Sequence, residues 1–167
     1  MSCLGVHFSL ADDEVRKLKS FSDDSDRLDY LQCEIEEKYF SEHEDRVAQS
    51  DKAWDAMHRA LSDGDLSYTT GPHPLRLAVI GGDPIYAEGD YIMSLKTPAE
   101  VKEVAKALVP ITEEDFRRKY DAIDPEKYGC PKNDEDFRYT WDWFTGVVTF
   151  YQRAATEGRW VLFTADQ

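Results

Sequence analysis

A chain of 167 residues is long enough for one domain with a substantial core. With 41% hydrophobic and 13% aromatic residues it is too apolar for a disordered segment, and no low-complexity tract or internal repeat interrupts it. The formal charge of −14 disfavours nucleic acid and anionic membranes, whose phosphates repel such a surface, and leaves basic proteins, cationic ligands and metals as partners.

In chain order, "CLGVHFSL" (Cys3 to Leu10) reads as a first strand, with Leu4, Val6 and Phe8 alternating against Gly5 and His7. Ser9 and Asp12 resemble a cap, so a helix is expected from about Ala11. A second helix is expected from about Ser25 to Phe40, with Leu28, Leu31, Ile35 and Tyr39 on one face and acids opposite. Between Ala11 and Arg46 there are 13 acids against 6 bases, about half of the whole charge excess. In "DKAWDAMH", Ser50 is the expected N-cap, Asp51 sits in the first turn, and Asp63-Gly64 ends the helix. Trp54, Met57, His58 and Leu61 share one of its faces.

Leu75 to Ile80 is expected to be a strand stopped by Gly81-Gly82 and Pro84, and Asp90 to Leu95 a second strand, the two joined as a long-looped hairpin. Thr97-Pro98-Ala99-Glu100 supplies an N-cap, a first-turn proline and a capping acid for a helix through Leu108. Thr112 restarts a helix after Pro110, and Pro125 to Pro131 is a turn-rich connector. From Asn133 a long helix carries Phe137, Trp141, Phe144, Val148, Tyr151 and Ala155 as one stripe. Trp143, Val147, Phe150 and Ala154 form another beside it, so this is a central core helix or an oligomer interface. Gly146 in its interior costs about 1 kcal/mol relative to Ala unless close approach by a neighbour offsets it, and Gly158 ends the helix before a last strand, "RWVLFTAD". Helices mixed with short strands, without regular alternation, predict an α+β fold. It is a single compact domain over 1–167, with several helices around a central aromatic-rich C-terminal helix and a small sheet of short strands.

The chemistry-bearing motifs are sparse. "VIGGDP" lacks the third glycine and the immediate helix of a dinucleotide loop, and it reads as a tight turn. The histidines (His7, His43, His58, His73) have no helical metal spacing, and Asp55 is expected to orient His58. Cys3, Cys33 and Cys130 are odd in number and far apart, which argues against a disulfide framework or zinc knuckle. There is no nucleophile elbow. No catalytic residue, metal ligand or cofactor is assigned. The N-terminus has no basic n-region and no long apolar run, so no signal peptide is expected and the chain reads as cytoplasmic. Trp143, Tyr139 and Tyr128 are read first as filling the core around the last helix, with partial exposure beside acids, as on surfaces that grip another protein, as the alternative.

The runs "LADDEV", "DKAWDAMHRAL", "LAVIGG", "TPAEVKEVAKAL", "ITEEDFRRKYD" and "WFTGVVTFYQRAATEGRWVLF", in this order over nearly the whole chain, resemble the YfbM-like family of bacterial proteins of unknown function. The region "GDYIMSLKTP" departs from the family pattern in having no arginine. The resemblance implies one α+β domain of the bacterial cytoplasm and no established activity.

Two functional expectations follow. The first is a non-enzymatic acidic protein-binding domain, of the adaptor or immunity type. Its basic partner would meet a surface that includes Asp23, Asp24, Glu36 and Glu37. The alternative is a small-molecule-binding domain or enzyme, with a pocket between the Trp54–His58 helix and the Gly81–Gly82 turn. Asp51, Trp54, His58, Gly81 and Gly82 would line that pocket, with His58 the group suited to acid–base work. A homo-oligomer through the C-terminal helix is a further expectation.

Overall fold

The computed structural model describes residues 4–87 and 89–166, so Cys3 of the expected first strand lies outside the described residues. Strands β1 (Gly5–Leu10), β2 (Val47–Asp51), β3 (Asp83–Pro84), β4 (Tyr91–Lys96) and β5 (Trp160–Asp166) form one antiparallel sheet in the order β2-β1-β5-β4-β3. His7 of β1 and Ser94 of β4 both pair with Phe163 of β5, so these three side chains share a face. One residue along, Phe8 and Leu95 pair with Leu162 on the opposite face. Both faces are buried, which is why the strands read as nearly continuous apolar runs.

The Leu162 face is covered by α1 (Asp12–Ser20) and by a rod made of α2 (Asp24–Tyr30), a π-helical segment (Leu31–Glu36) and α3 (Glu37–Glu42). The expected helix face is present, with Leu31, Ile35 and Tyr39 buried against Phe8, Leu10 and Leu95. Helix α1 is capped through Glu14, whose carboxylate accepts from Ala11 N at 2.8 Å, and not by the Ser9 and Asp12 pair.

The Phe163 face is covered by α4 (Trp54–Leu61), α5 (Pro98–Leu108), α6 (Glu113–Asp121), the single turn α7 (Pro125–Tyr128) and α8 (Asp134–Glu157). Helix α8 lies at the centre of this layer, touching α4, α5, α6 and β2. Thr97 caps α5 and Thr112 caps α6, each accepting the N–H of an acidic residue three positions on, and Asn133 caps α8. Gly146 is exposed, and nothing lies within 4 Å of where its Cβ would be, so close approach is not the reason for a glycine there.

Two expectations fail for reasons of long-range hydrogen bonding. Ser50 is not a helix cap but a buried residue of β2, its Oγ donating to the Gly5 carbonyl at 3.1 Å, and α4 begins three to four residues later. Leu75–Ala78 is not a strand but a 3₁₀ turn, and the hairpin partner of β4 is the two-residue β3. Buried carbonyls need partners wherever they lie. Here Ala78 O receives His7 Nε2 at 2.9 Å and Tyr151 Oη at 3.0 Å, while Val79 O receives Lys96 Nζ at 2.5 Å. Side chains replace the ladder that a strand would have used.

Candidate functional site

At the end of the sheet where β1 and β4 begin and β2 and β5 finish, the layers part around a cleft of about 370 Å³. Several local irregularities build it. The β1–β2 register shifts between Gly5 and Val6, a bulge that turns the strand ends outward. Gly5 is required there, since a Cβ would lie 2.7 Å from Trp54 Cδ1. Asp51 closes β2 with φ +45°, a left-handed conformation uncommon outside glycine, though Asp adopts it more readily than most. The π segment, a wide turn of the sort often found at functional sites, contributes Gln32 and Glu36.

Three carboxylates line the cleft, Glu36, Asp51 and Asp166, and among the described residues no basic side chain joins them. The Tyr91 hydroxyl donates toward Glu36 Oε1 at 3.5 Å. Burial raises the Glu36 carboxyl above its ordinary range, and the Tyr91 hydrogen bond offsets part of that rise. Burial, reinforced by the Glu36 charge, pushes the Tyr91 phenol up in turn. On the α8 side, the Tyr139 oxygen accepts from Lys52 N at 3.3 Å, and burial together with the nearby Asp51 raises its phenol above the ordinary range. Tyr139 also holds the Trp143 ring edge-on at 6.4 Å. Trp143, Tyr91 and the exposed Phe40 give the walls their aromatic surface. No group of three or more His, Cys, Asp or Glu among the described residues converges to hold a metal ion. Carboxylates beside aromatic faces suit an organic cation.

A second polar cluster lies inside the Phe163 layer. Lys96 is fully buried, and its Nζ bonds Val79 O, Ser94 Oγ at 2.6 Å and Ser94 O at 3.2 Å. Among the described residues no carboxylate forms an ion pair with it, and burial holds its amine well below the ordinary lysine range. His7 is lowered to about 3 and His58 to about 4, in both cases chiefly by burial with Lys96 contributing. All three side chains are sealed from solvent, which makes this a cluster within the core.

The residues picked from the sequence therefore separate. Asp51 lines the cleft, as does Glu36 from the acidic set. Trp54 is buried against Phe163, and His58 is buried with its Nε2 on Ser67 O at 2.9 Å. Asp55 pairs with Arg59 at 2.6 Å and not with His58. Gly81 and Gly82 are close-approach residues: added Cβ atoms would lie 2.2 Å from Arg76 O and 2.6 Å from Leu95 O. None of Trp54, His58, Gly81 and Gly82 lines the cleft at the sheet end. Asp23 caps α2, Asp24 pairs with Arg27, and Glu37 is exposed on α3. Tyr128 is buried, while Trp143 and Tyr139 are partly exposed.

Sequence reasoning missed Gln32, Tyr91, Thr164, Asp166 and Lys96. The last left a signal. Ile92, Ser94 and Lys96 alternate onto one face of a strand whose other face is apolar, which places a lysine inward.

The fold and site define a three-layer α+β domain with an acidic, aromatic-walled cleft at one end of its sheet. The chain belongs to the family described as Domain of unknown function (DUF1877), matched over residues 1–164. Among solved structures it is similar to YfbM from Escherichia coli, described as a protein of unknown function. The TM-score is 0.62 and the identity 18%, over 97% of this chain and 99% of that one, a likeness of fold. No curated protein matches the sequence. No helix among the described residues is long and apolar enough to cross a membrane.

Proposed function

We propose that this chain is a non-enzymatic binding domain for a basic partner protein, and that the cleft at the sheet end receives a cationic side chain of that partner. The observation that carries this reading is the meeting of Glu36, Asp51 and Asp166 in one aromatic-walled cleft without a basic side chain among the described residues. Net charge supports it from outside: a surface at −14 attracts a basic partner over a distance and makes the encounter salt-sensitive. A basic side chain entering the cleft would gain the carboxylates and lose little to rearrangement of Trp143, whose ring Tyr139 already holds.

The test is capture from native lysate by the parent and by a Glu36→Gln/Asp166→Asn double variant, at low and high salt, read by mass spectrometry. A basic protein held by the parent at low salt, and released both by salt and by the double variant, supports the reading. Equal capture by parent and double variant removes the cleft from it.

A further inference from the structure

We infer that the cationic group this cleft selects is the guanidinium of an arginine, in preference to a lysine ammonium. The inference rests on the reading of the cleft as a cation site and goes beyond it in naming the group. Three observations support it. The acceptors are numerous: carboxylates at Glu36, Asp51 and Asp166, with the Gln32 and Gln49 side-chain amides in the same walls. An ammonium has three donors on a single nitrogen, whereas a guanidinium spreads five over a planar fork that reaches several acceptors at once.

The lining is also aromatic. Trp143 and Tyr91 stand beside the acids, and a planar cation can stack on a ring face while its edge bonds carboxylates. Trp143 is held by its edge contact with Tyr139, so one such wall is already in place. Finally, one of the acids is partly withdrawn from solvent. Glu36 is half-buried, and its only hydrogen bond among the described residues is the long one from Tyr91. Such a position favours the more weakly hydrated cation, since guanidinium loses less on leaving water than ammonium does. The cavity, about 370 Å³, holds an arginine side chain together with bridging waters.

The full chain is titrated with N-acetyl-arginine amide, N-acetyl-lysine amide and the neutral N-acetyl-citrulline amide, followed by NMR shifts of the tryptophan indole N–H groups, a readout suited to weak ligands. The inference expects the arginine compound to bind at least about tenfold more tightly than the lysine compound. Citrulline should produce no saturable shift, and Glu36→Gln should weaken arginine binding by a similar factor. Trp143→Leu, read by backbone amide shifts, should reduce the preference for arginine over lysine. Equal binding of arginine and lysine, both lost in Glu36→Gln, overturns the choice of arginine and leaves the cation reading standing. Binding of neither cation, or binding indifferent to Glu36→Gln, overturns both.

Discussion

Lys96 Nζ donates to the Val79 carbonyl at 2.5 Å from a fully buried position, surrounded by neutral acceptors and without an ion-pair partner among the described residues. The unfolded chain would carry this lysine protonated up to its ordinary range near 10.5, while the native chain holds it well below that range. Over the interval between, the unfolded state binds the extra proton, so stability rises with pH. Lys96→Met removes this dependence. In urea unfolding from pH 7 to 9, the stability of Lys96→Met relative to the parent should fall by up to about 1.4 kcal/mol per pH unit. A constant difference across that range would mean that Lys96 is charged in the native core.

The two buried histidines act at the other end of the pH scale. His58 and His7 are lowered from 6.5 to about 4 and about 3. Below pH 6.5 the unfolded chain takes up protons that the native one refuses, so stability is intact above that value and falls as acid is added toward 4. At its full extent the loss is roughly 3 kcal/mol for His58 and roughly 5 kcal/mol for His7. His58→Gln keeps an N–H donor for Ser67 O, and it should reduce the parent's loss between pH 6.5 and 4, measured by thermal unfolding. A variant as acid-sensitive as the parent would assign the loss to other groups.

Gly146 and Gly81 should respond oppositely to alanine. Gly146→Ala adds a methyl group to open space on an exposed helical position and should stabilise the protein by about 1 kcal/mol. Gly81→Ala drives a Cβ into the Arg76 carbonyl and should destabilise by about 3 kcal/mol or more, since backbone must move. Denaturant midpoints of the two variants check both signs. Destabilisation at Gly146 would reveal a partner surface on α8.

Asp51 separates folding from binding. Its φ of +45° disfavours a side chain there, and glycine adopts such a conformation freely. Against that gain stands the greater conformational freedom of glycine in the unfolded chain. Asp51→Gly should therefore change stability by less than about 1 kcal/mol, while weakening cation binding by about tenfold. Strong destabilisation with intact binding would make Asp51 a structural residue only.

What the sequence determined by itself was local. The Thr97 cap, the helix starts at Thr112 and Asn133, the stop at Gly158 and the apolar stripes of α8 all depend on residues within a few positions of one another, and they are where they were expected. The family was legible as well, because its runs recur in order. The tertiary structure decided the rest. Apolar composition announces that Leu75 to Ile80 is buried, but not what will satisfy its carbonyls. The answer comes from His7 and Tyr151, 71 and 73 residues away, and the result is a turn in place of a strand. The cleft has the same origin. Glu36, Asp51, Tyr91, Trp143 and Asp166 come from five separate elements. Each looks ordinary in its own segment: an acid on a solvated helix face, a strand terminus, an aromatic beside a core. They meet only because the sheet order brings four strand ends together beneath the π segment and α8, a pairing that no short window of sequence contains.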